Sequence, residues 1–257
     1  MITTSQNKQI KQVVKLLKSS RERKKTGLFV IEGLRMFREI PEDRREKVFV
    51  SSDFLQEHGE ILRDVSFEEV SSQVFREISD TETPQGILSL VRMDQTPISE
   101  IIKRDGNSIL LLENLQDPGN LGTLIRTGEG AGVCCVIMSK DTVDIYNPKV
   151  IRSTMGSIFR VPFCYVEDLA EMVELLKQRF IHVYAAHLDG TDYTEESYDK
   201  ISAFLIGNEG NGLTDRIAAL ADKRIRIPME GRVESLNAAM AGGLLMYEAR
   251  RQRKGGS

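Results

Sequence analysis

Six short apolar runs between residues 108 and 228 restrict the fold of this chain more than any other feature of its sequence. They are SILLL (108–112), VCCVIMS (133–139), FRVPFCYV (159–166), IHVYAA (181–186), SAFLIG (202–207) and RIRIP (224–228). Helical stretches separate several of them. Continuous apolar strands that alternate with helices are typical of a mainly parallel sheet with helices on both faces. The sequence therefore predicts an α/β fold in this part of the chain.

The first 95 residues predict a separate, small α/β domain. A helix is expected over residues 5–20, where apolar residues recur at helical spacing. The other expected elements are a basic turn RERKKTG (21–27), a strand LFVI (28–31), a helix EGLRMFREI (32–40), a strand KVFVS (47–51), a helix over 68–79 and a strand ILSLV (87–91). Residues 96–106 are polar and predict a linker with a short helix over 99–103. Residues 107–257 then form the second domain.

Composition narrows the class of protein. A hydrophobic content of 40% and a charged content of 28% fit a globular protein, and no run approaches the roughly 18 apolar residues of a membrane span. The first residues lack a signal-peptide pattern, so we expect a cytoplasmic protein without membrane association. The three cysteines, Cys134, Cys135 and Cys164, lack metal-ligand spacing, and no metal site is expected.

Basic residues are concentrated at both ends of a chain whose net charge is −3. Residues 1–25 contain Lys8, Lys11, Lys15, Lys18, Arg21, Arg23, Lys24 and Lys25. The other end carries Arg250, Arg251, Arg253 and Lys254. The net charge argues against indiscriminate binding to nucleic acid. Each basic end can be a local patch for a polyanion or the solvated face of an amphipathic helix.

Three polar loops follow apolar runs, at the strand ends where ligands collect in open α/β sheets. They are ENLQDPGNLGTLIRT (113–127), IGNEGNGL (206–213) and IPMEGRVESLN (227–237). Ser235 and Asn237 are expected in the first turn of the helix that follows, where free N–H groups favour phosphate or carboxylate ligands. Gly242 and Gly243 lie inside that helix and indicate close approach of another backbone. No phosphate-binding G-x-x-x-x-G-K-[ST] or dinucleotide-binding G-x-G-x-x-G motif is present.

In this order, the three segments resemble the three motifs of the SpoU (TrmH) family of RNA ribose 2′-O-methyltransferases, in the SPOUT superfamily. The first motif is matched by Asn114, Asp117, Pro118, Asn120, Gly122, Arg126 and Thr127. The second is matched by Gly207, Asn208, Glu209 and Gly210. The third is matched by Ile227, Pro228, Met229, Ser235, Leu236, Asn237 and Ala238. Residues 1–95 resemble, more weakly, the small substrate-binding domain that often precedes this catalytic domain.

The resemblance implies a C-terminal trefoil knot and S-adenosylmethionine as the methyl donor. Gly207, Ile227 and Leu236 would hold the donor, and Met229 would line its pocket. The reaction would be attack by a ribose 2′-hydroxyl on the donor's methyl group.

The same resemblance implies roles for the polar residues of the motifs. Arg126 would deprotonate or polarise the hydroxyl, oriented by Asn120 and Glu209. Ser235 and Asn237 would hold the target phosphate or ribose. The family usually forms homodimers through the C-terminal helix, which Gly242 and Gly243 would suit. The implied partner is structured RNA, with ribosomal RNA first and transfer RNA second.

Two other functions remain open at this stage. The same fold could serve as an RNA-binding or ribosome-assembly protein without catalysis, although the intact motif residues favour an enzyme. An unrelated α/β nucleotide-binding enzyme is disfavoured by the absent phosphate motifs. The sequence identifies neither the RNA, nor the modified nucleotide, nor how the first domain contacts RNA, nor whether Arg126 is the true base.

Overall fold

A computed structural model describes residues 1–94, 96–101, 108–198 and 201–255, and the chain divides into two compact units. The first unit consists of Met1–Gln95 together with Asp144–Phe159, and the second of Thr96–Val143 with Arg160–Ser257. Parts of the expected linker, residues 102–106, lie outside the described residues. None of the described helices has both the length and the apolar character needed to cross a membrane.

Helices and strands alternate along most of the chain. The α-helices are α1 (Lys8–Lys18), α2 (Ser20–Thr26), α3 (Leu34–Glu39), α4 (Ser52–His58), α5 (Ser72–Ile78), α6 (Ile98–Ile101), α7 (Pro118–Ala131), α8 (Pro148–Thr154), α9 (Leu169–Gln178), α10 (Asp215–Ala218) and α11 (Ala238–Gly255). The strands are β1 (Leu28–Glu32), β2 (Arg45–Ser51), β3 (Glu68–Val70), β4 (Ile87–Arg92), β5 (Ser108–Leu112), β6 (Val133–Ser139), β7 (Phe163–Val166), β8 (His182–Asp192), β9 (Ser202–Ile206) and β10 (Lys223–Arg226).

The first unit is built on a four-stranded sheet with the order β1-β4-β2-β3. Two sequence predictions were wrong here. The stretch RERKKTG is not a turn but most of α2, because Ser19 caps the helix start and Gly27 ends it with a φ of 66°. The single helix expected over 68–79 is a strand followed by a helix, β3 and α5.

The segment 144–159 contributes to the core of the first unit. The Arg23 side chain is only 4% exposed, and its Nε and Nη2 donate to Oδ2 of Asp144 at 3.0 and 2.6 Å. The ring of Tyr146 lies 4.6 Å from that of Phe29, centroid to centroid. The sequence-based division assigned this segment to the second domain, because nothing local in the sequence reveals partners more than 100 residues away.

The second unit is built on a six-stranded sheet with the order β10-β8-β9-β5-β6-β7. Every strand pair described in this sheet is parallel. The predicted α/β fold with a mainly parallel sheet is therefore confirmed. The largest differences from the predicted strand bounds are at β7, which begins only at Phe163, after Pro162, and at β8, which continues to Asp192. The knot that the resemblance implies stays a prediction.

Helix α11 packs closely on α7 of the same chain. A Cβ atom on Gly242 would lie 2.5 Å from Cδ2 of Leu124, and one on Gly128 would lie 3.7 Å from Sδ of Met246. The expected approach of another backbone is wrong: the neighbours of Gly242 and Gly243 are side chains of the same chain, so Gly242 forms a packing notch for Leu124. Gly242 gives no separate support for a contact between two copies.

The end of α11 is fixed to the amino-terminal edge of the second sheet. Arg253 donates from Nη1 to Oγ of Ser108 at 3.1 Å and from Nη2 to Oγ of Ser202 at 3.3 Å. Its Nε donates to the carbonyl of Tyr198 at 2.9 Å. Arg251 pairs with Glu248 at 2.7 Å. Arg251 and Arg253 have partners in the chain, and Arg250 lies over the ring of Tyr247 at 5.7 Å, so the basic C-terminal stretch is not a free polyanion-binding patch.

Candidate active site

The three motif segments meet at the carboxyl edge of the second sheet. The ends of β5 and β9 are neighbours, with Leu112 opposite Ile206, so the loops that follow them begin side by side. Glu209, in the loop after β9, accepts hydrogen bonds from the backbone N–H groups of Gln116 and Asp117 at 3.0 and 2.8 Å. The second motif thereby holds the first through one carboxylate.

Asn120 connects this pair to the third motif. Its Nδ2 donates to Oε1 of Glu209 at 3.0 Å, and its Oδ1 accepts from Nδ2 of Asn237 at 2.8 Å. Asn120 is buried in the third position of α7, after a turn in which Asp117 caps the helix. The side chains Glu209, Asn120 and Asn237 thus form a hydrogen-bonded chain across all three segments.

The charge of Glu209 depends on these partners. Burial raises the pKa of its carboxyl group, but hydrogen bonds from Asn120 and from the Gln116 and Asp117 N–H groups outweigh burial and hold the pKa below its usual value. Glu209 is therefore an ionised acceptor at neutral pH. A carboxylate in this state cannot donate a proton, which suits an organising role.

A second set of bonds shapes the loop after β9. Nδ2 of Asn208 donates to the carbonyl of Asn114 at 2.9 Å, and its Oδ1 accepts from the N–H groups of Gly210 and Asn211 at 3.0 and 3.1 Å. Asn208 and Gly212 also exchange two backbone hydrogen bonds, at 3.0 and 2.9 Å. The loop consequently folds back on itself beside the first motif.

A cavity of about 410 Å³ opens between the second and third motif segments, within the size range of small-molecule sites. All four residues predicted to bind the cofactor line it, namely Gly207, Ile227, Met229 and Leu236. Glu209 and Ser235 line it too, whereas Asn120, Arg126 and Asn237 are not among the lining residues. Among the described residues, no group of three or more His, Cys, Asp or Glu side chains could hold a metal ion.

Strand β8 supplies lining residues that the sequence reasoning missed. The register against β10 jumps from Ala185 to Thr191, so residues 186–190 bulge out of the ladder, and 186–189 line the cavity. A Cβ on Gly190 would lie 2.5 Å from the backbone of Ile225, so only glycine fits there. A glycine in the polar sequence HLDG, directly after an apolar run, is the signal that could have revealed this bulge.

The positions of Ser235 and Asn237 differ from expectation. Helix α11 begins at Ala238, so neither residue lies in its first turn. Asn237 instead caps the helix, since its Oδ1 accepts from the N–H groups of Ala239 and Met240 at 2.9 and 3.3 Å. The capping side chain occupies N–H groups that were expected to face a ligand. Ser235 is exposed at the cavity, one residue before Leu236.

Arg126 is exposed on α7, two turns beyond the helix start. Within the described residues, its guanidinium forms no hydrogen bond or ion pair. The structure therefore leaves this side chain available to a partner from outside the chain.

We expect that Gly207→Ala will weaken binding of the ligand of this cavity by at least about tenfold. A Cβ at this position would lie 2.1 and 2.2 Å from backbone atoms of Gly212 and Leu213, which must move. Gly210→Ala is the matched control in the same loop, because its Cβ would meet only Oδ1 of Asn208, at 3.6 Å. Calorimetric titration measures both; equal affinities for the two variants would contradict this prediction.

A second prediction concerns acid pH. A lowered pKa means that Glu209 contributes stability that is present above the unfolded-state pKa of about 4.3 and is lost as the pH falls through the lower folded-state value. The free energy of unfolding of wild-type protein minus that of Glu209→Gln should be constant at neutral pH and shrink below about pH 4. Hydrogen exchange of the β5 and β9 amides in both proteins, corrected for the intrinsic exchange rate at each pH, measures the difference for the second unit. A difference that grows on acidification would show the opposite linkage.

Residues 107–247 match the family model described as the SpoU rRNA Methylase family. The chain belongs to the SpoU rRNA methylase family. Residues 7–89 match a second model, described as an MRM3-like substrate binding domain. The two matches account for both the sheet that carries the site and the small domain before it.

Relatives of this SpoU protein match over nearly its whole length. The 23S rRNA (guanosine(2553)-2′-O)-methyltransferase RlmP of Bacillus subtilis is 32% identical, covering 97% of this chain and 98% of the relative. The crystal structure of the SpoU methyltransferase AviRb from Streptomyces viridochromogenes superposes with a TM-score of 0.86 at 27% identity, covering 97% and 99% of the two chains. An AdoMet-bound rRNA methyltransferase from Sinorhizobium meliloti gives a TM-score of 0.84 at 30% identity, covering 97% of each chain.

Proposed function

We propose that this protein transfers a methyl group from S-adenosylmethionine to a ribose 2′-hydroxyl of ribosomal RNA. The observation that carries the proposal is the hydrogen-bonded chain Glu209–Asn120–Asn237 beside the cavity, which joins three segments far apart in sequence. Family membership supports the reaction type. Relatives from Bacillus subtilis and Streptomyces viridochromogenes are named 23S rRNA 2′-O-methyltransferases. These names support ribosomal RNA as the substrate.

The cavity has the chemistry that this methyl donor requires. An adenosine needs an apolar slot with a few polar partners, and Ile227, Met229 and Leu236 supply apolar surface. Gly207 lines the cavity and, because it has no side chain, lets the backbone of Gly212 and Leu213 pack against it. We assign Gly207, Ile227, Met229 and Leu236 to cofactor binding. When bound, the cofactor supplies an electrophilic methyl group, and the protein must position the hydroxyl and accept its proton.

Arg126 is our candidate for the group that acts on the hydroxyl. An arginine is a poor base because its guanidinium holds its proton tightly, so Arg126 would polarise the hydroxyl, or would accept its proton only with help from the bound phosphate and donor. Asn120 and Glu209 form hydrogen bonds with one another and with other residues of the motif segments. Their proposed part in catalysis is to hold those segments together. Ser235, exposed at the cavity, would contact the target phosphate or ribose, whereas Asn237, bonded to Asn120 and to the helix start, would help to hold the segments together.

The surface of α1 and α2 supports RNA as the partner. Seven of the eight basic residues in this region are exposed, and Arg23 alone is buried. None of the seven forms an ion pair within the described residues. The exposed residues are Lys8, Lys11, Lys15, Lys18, Arg21, Lys24 and Lys25. Phosphate groups would neutralise this surface, and affinity for RNA should fall steeply with salt.

We also propose a homodimer through α11. Met240, Leu244 and Tyr247 recur along one helix face and are 60%, 38% and 45% exposed. Tyr247 lies against Gly130 of α7, one turn beyond Arg126, so the apolar face adjoins the candidate catalytic residue. Light scattering should show a dimer for the wild type and a monomer for Leu244→Glu, because a buried charge would disrupt this interface. A Leu244→Glu variant that remains dimeric would argue against it.

Two measurements test the proposed function. Calorimetry should show that the purified protein binds S-adenosylmethionine, and mapping of 2′-O-methyl groups should show a ribosomal RNA site that disappears from cells without the protein. Loss of a transfer RNA site instead would move the target to that RNA. If RNA methylation is the same in cells with and without the protein, and the protein does not bind the donor, the remaining interpretation is an RNA-binding protein without catalysis.

A further inference from the structure

We infer that Glu113 is a positioning residue, which fixes both ends of the cofactor loop, residues 207–213. Glu113 directly follows β5 and is only 6% exposed. Its N–H group donates to the carbonyl of Ile206, the residue before the loop, at 2.9 Å. Its carboxylate accepts two hydrogen bonds from Thr214, the residue after the loop. This inference rests on the proposed assignment of the cavity to the methyl donor.

The contact with Thr214 uses both carboxylate oxygens. The N–H of Thr214 donates to Oε2 at 2.8 Å, and the Thr214 hydroxyl donates to Oε1 at 2.7 Å. The same hydroxyl accepts from the N–H of Ile217 at 3.3 Å and so caps α10. Thr214 itself is exposed, but the Glu113 carboxylate is buried, so loss of the Thr214 hydroxyl leaves Oε1 of a buried carboxylate without that hydrogen bond.

The loop needs such fixing because of its composition. Three of its seven residues are glycines, which lose much conformational freedom when a single conformation is imposed. Every residue of the loop lines the cavity. Motion of the loop ends would therefore change the binding surface directly, whereas Arg126, on α7, would keep its place. Glu113 should consequently affect affinity for the donor more than the rate of the chemical step.

The test compares Thr214→Val and Glu113→Met with the conservative variants Thr214→Ser and Glu113→Gln. We expect Thr214→Val and Glu113→Met to raise the Kd for S-adenosylmethionine about tenfold, with kcat at saturating donor changed less than about twofold. Thr214→Ser can keep both hydrogen bonds, and Glu113→Gln can accept from the Thr214 N–H and donate from its amide nitrogen to the Thr214 hydroxyl, so both variants should bind nearly as the wild type does. The Kd of the double variant Thr214→Val/Glu113→Met should not exceed that of the single variant that binds the donor less tightly, because the two side chains contribute one shared interaction.

A matched control separates this role from a general loss of stability. Thr154 is fully buried in the first unit, and its hydroxyl donates to the carbonyl of Ile151 at 2.8 Å. Thr154→Val should lower the Tm without changing the Kd for the donor. If the wild type binds the donor and Thr214→Val and Glu113→Met bind it equally well, the proposed role of Glu113 is wrong, but the assignment of the cavity stands. If the wild type bound no donor, the assignment of the cavity would fail, and the inference with it.

Discussion

Asp144→Ala should lower the stability of the first unit by about 3–5 kcal/mol. The substitution leaves the Arg23 guanidinium buried without its carboxylate, retaining only its hydrogen bonds to the carbonyls of Leu16 and Leu17. Removing one partner of a buried ion pair costs much more than removing both, because the remaining charge has lost its solvent as well as its partner.

Hydrogen exchange is the suitable measurement, since a chain with two units need not unfold in one step. Amides of β1 and α1 should exchange faster in Asp144→Ala, while those of β5 and β9 should change little. The double variant Arg23→Met/Asp144→Leu serves as the control and should recover much of the lost protection. Equal protection of β1 in Asp144→Ala and wild type would show that the ion pair contributes little.

Arg126→Ala should reduce the methylation rate by about 100-fold to 10,000-fold, the usual contribution of a group that acts on the reacting proton. Binding of S-adenosylmethionine should stay near normal, because Arg126 does not line the cavity. Arg126→Lys should be intermediate or poor, since it keeps the positive charge but not the planar donor arrangement. Single-turnover methylation with saturating donor measures the chemical step.

Arg216→Ala is the matched control for this experiment. Arg216 is another exposed arginine of the second unit, and its partner is Asp168 at 2.6 Å. Its removal should leave the methylation rate within about twofold, as is usual for an exposed ion pair. Near-normal methylation by Arg126→Ala would remove Arg126 from the mechanism.

Local patterns predicted the second sheet well. Each of the six runs overlaps a strand, and the inner strands β5, β6 and β9 are almost wholly buried, as parallel strands covered on both faces must be. The same logic misses β8 beyond Ala186, where polar residues bulge out of the ladder to line the cavity. Helix α2 was missed for a related reason: seven polar residues show no apolar periodicity, although Ser19 and Gly27 mark its ends.

Contacts between distant residues could not be predicted in this way. The pairs Arg23–Asp144 and Glu113–Thr214 are separated by 121 and 101 residues, and neither leaves a local pattern. Resemblance of the motifs to a family selected the residues of the site, such as Glu209 and Asn120. Only the structure showed that Asn120 donates a hydrogen bond to Glu209.

The attachment of Arg253 to Ser108 and Ser202 has a consequence for biosynthesis. A nascent chain can complete the first unit once residue 159 has left the exit tunnel. The second unit is complete only after Arg253 has been synthesised, because Arg253 donates to Ser108 of β5 and Ser202 of β9, which precede it in the chain. Until then, β5 and β9 carry serines without this partner, so the two units mature in the order of translation.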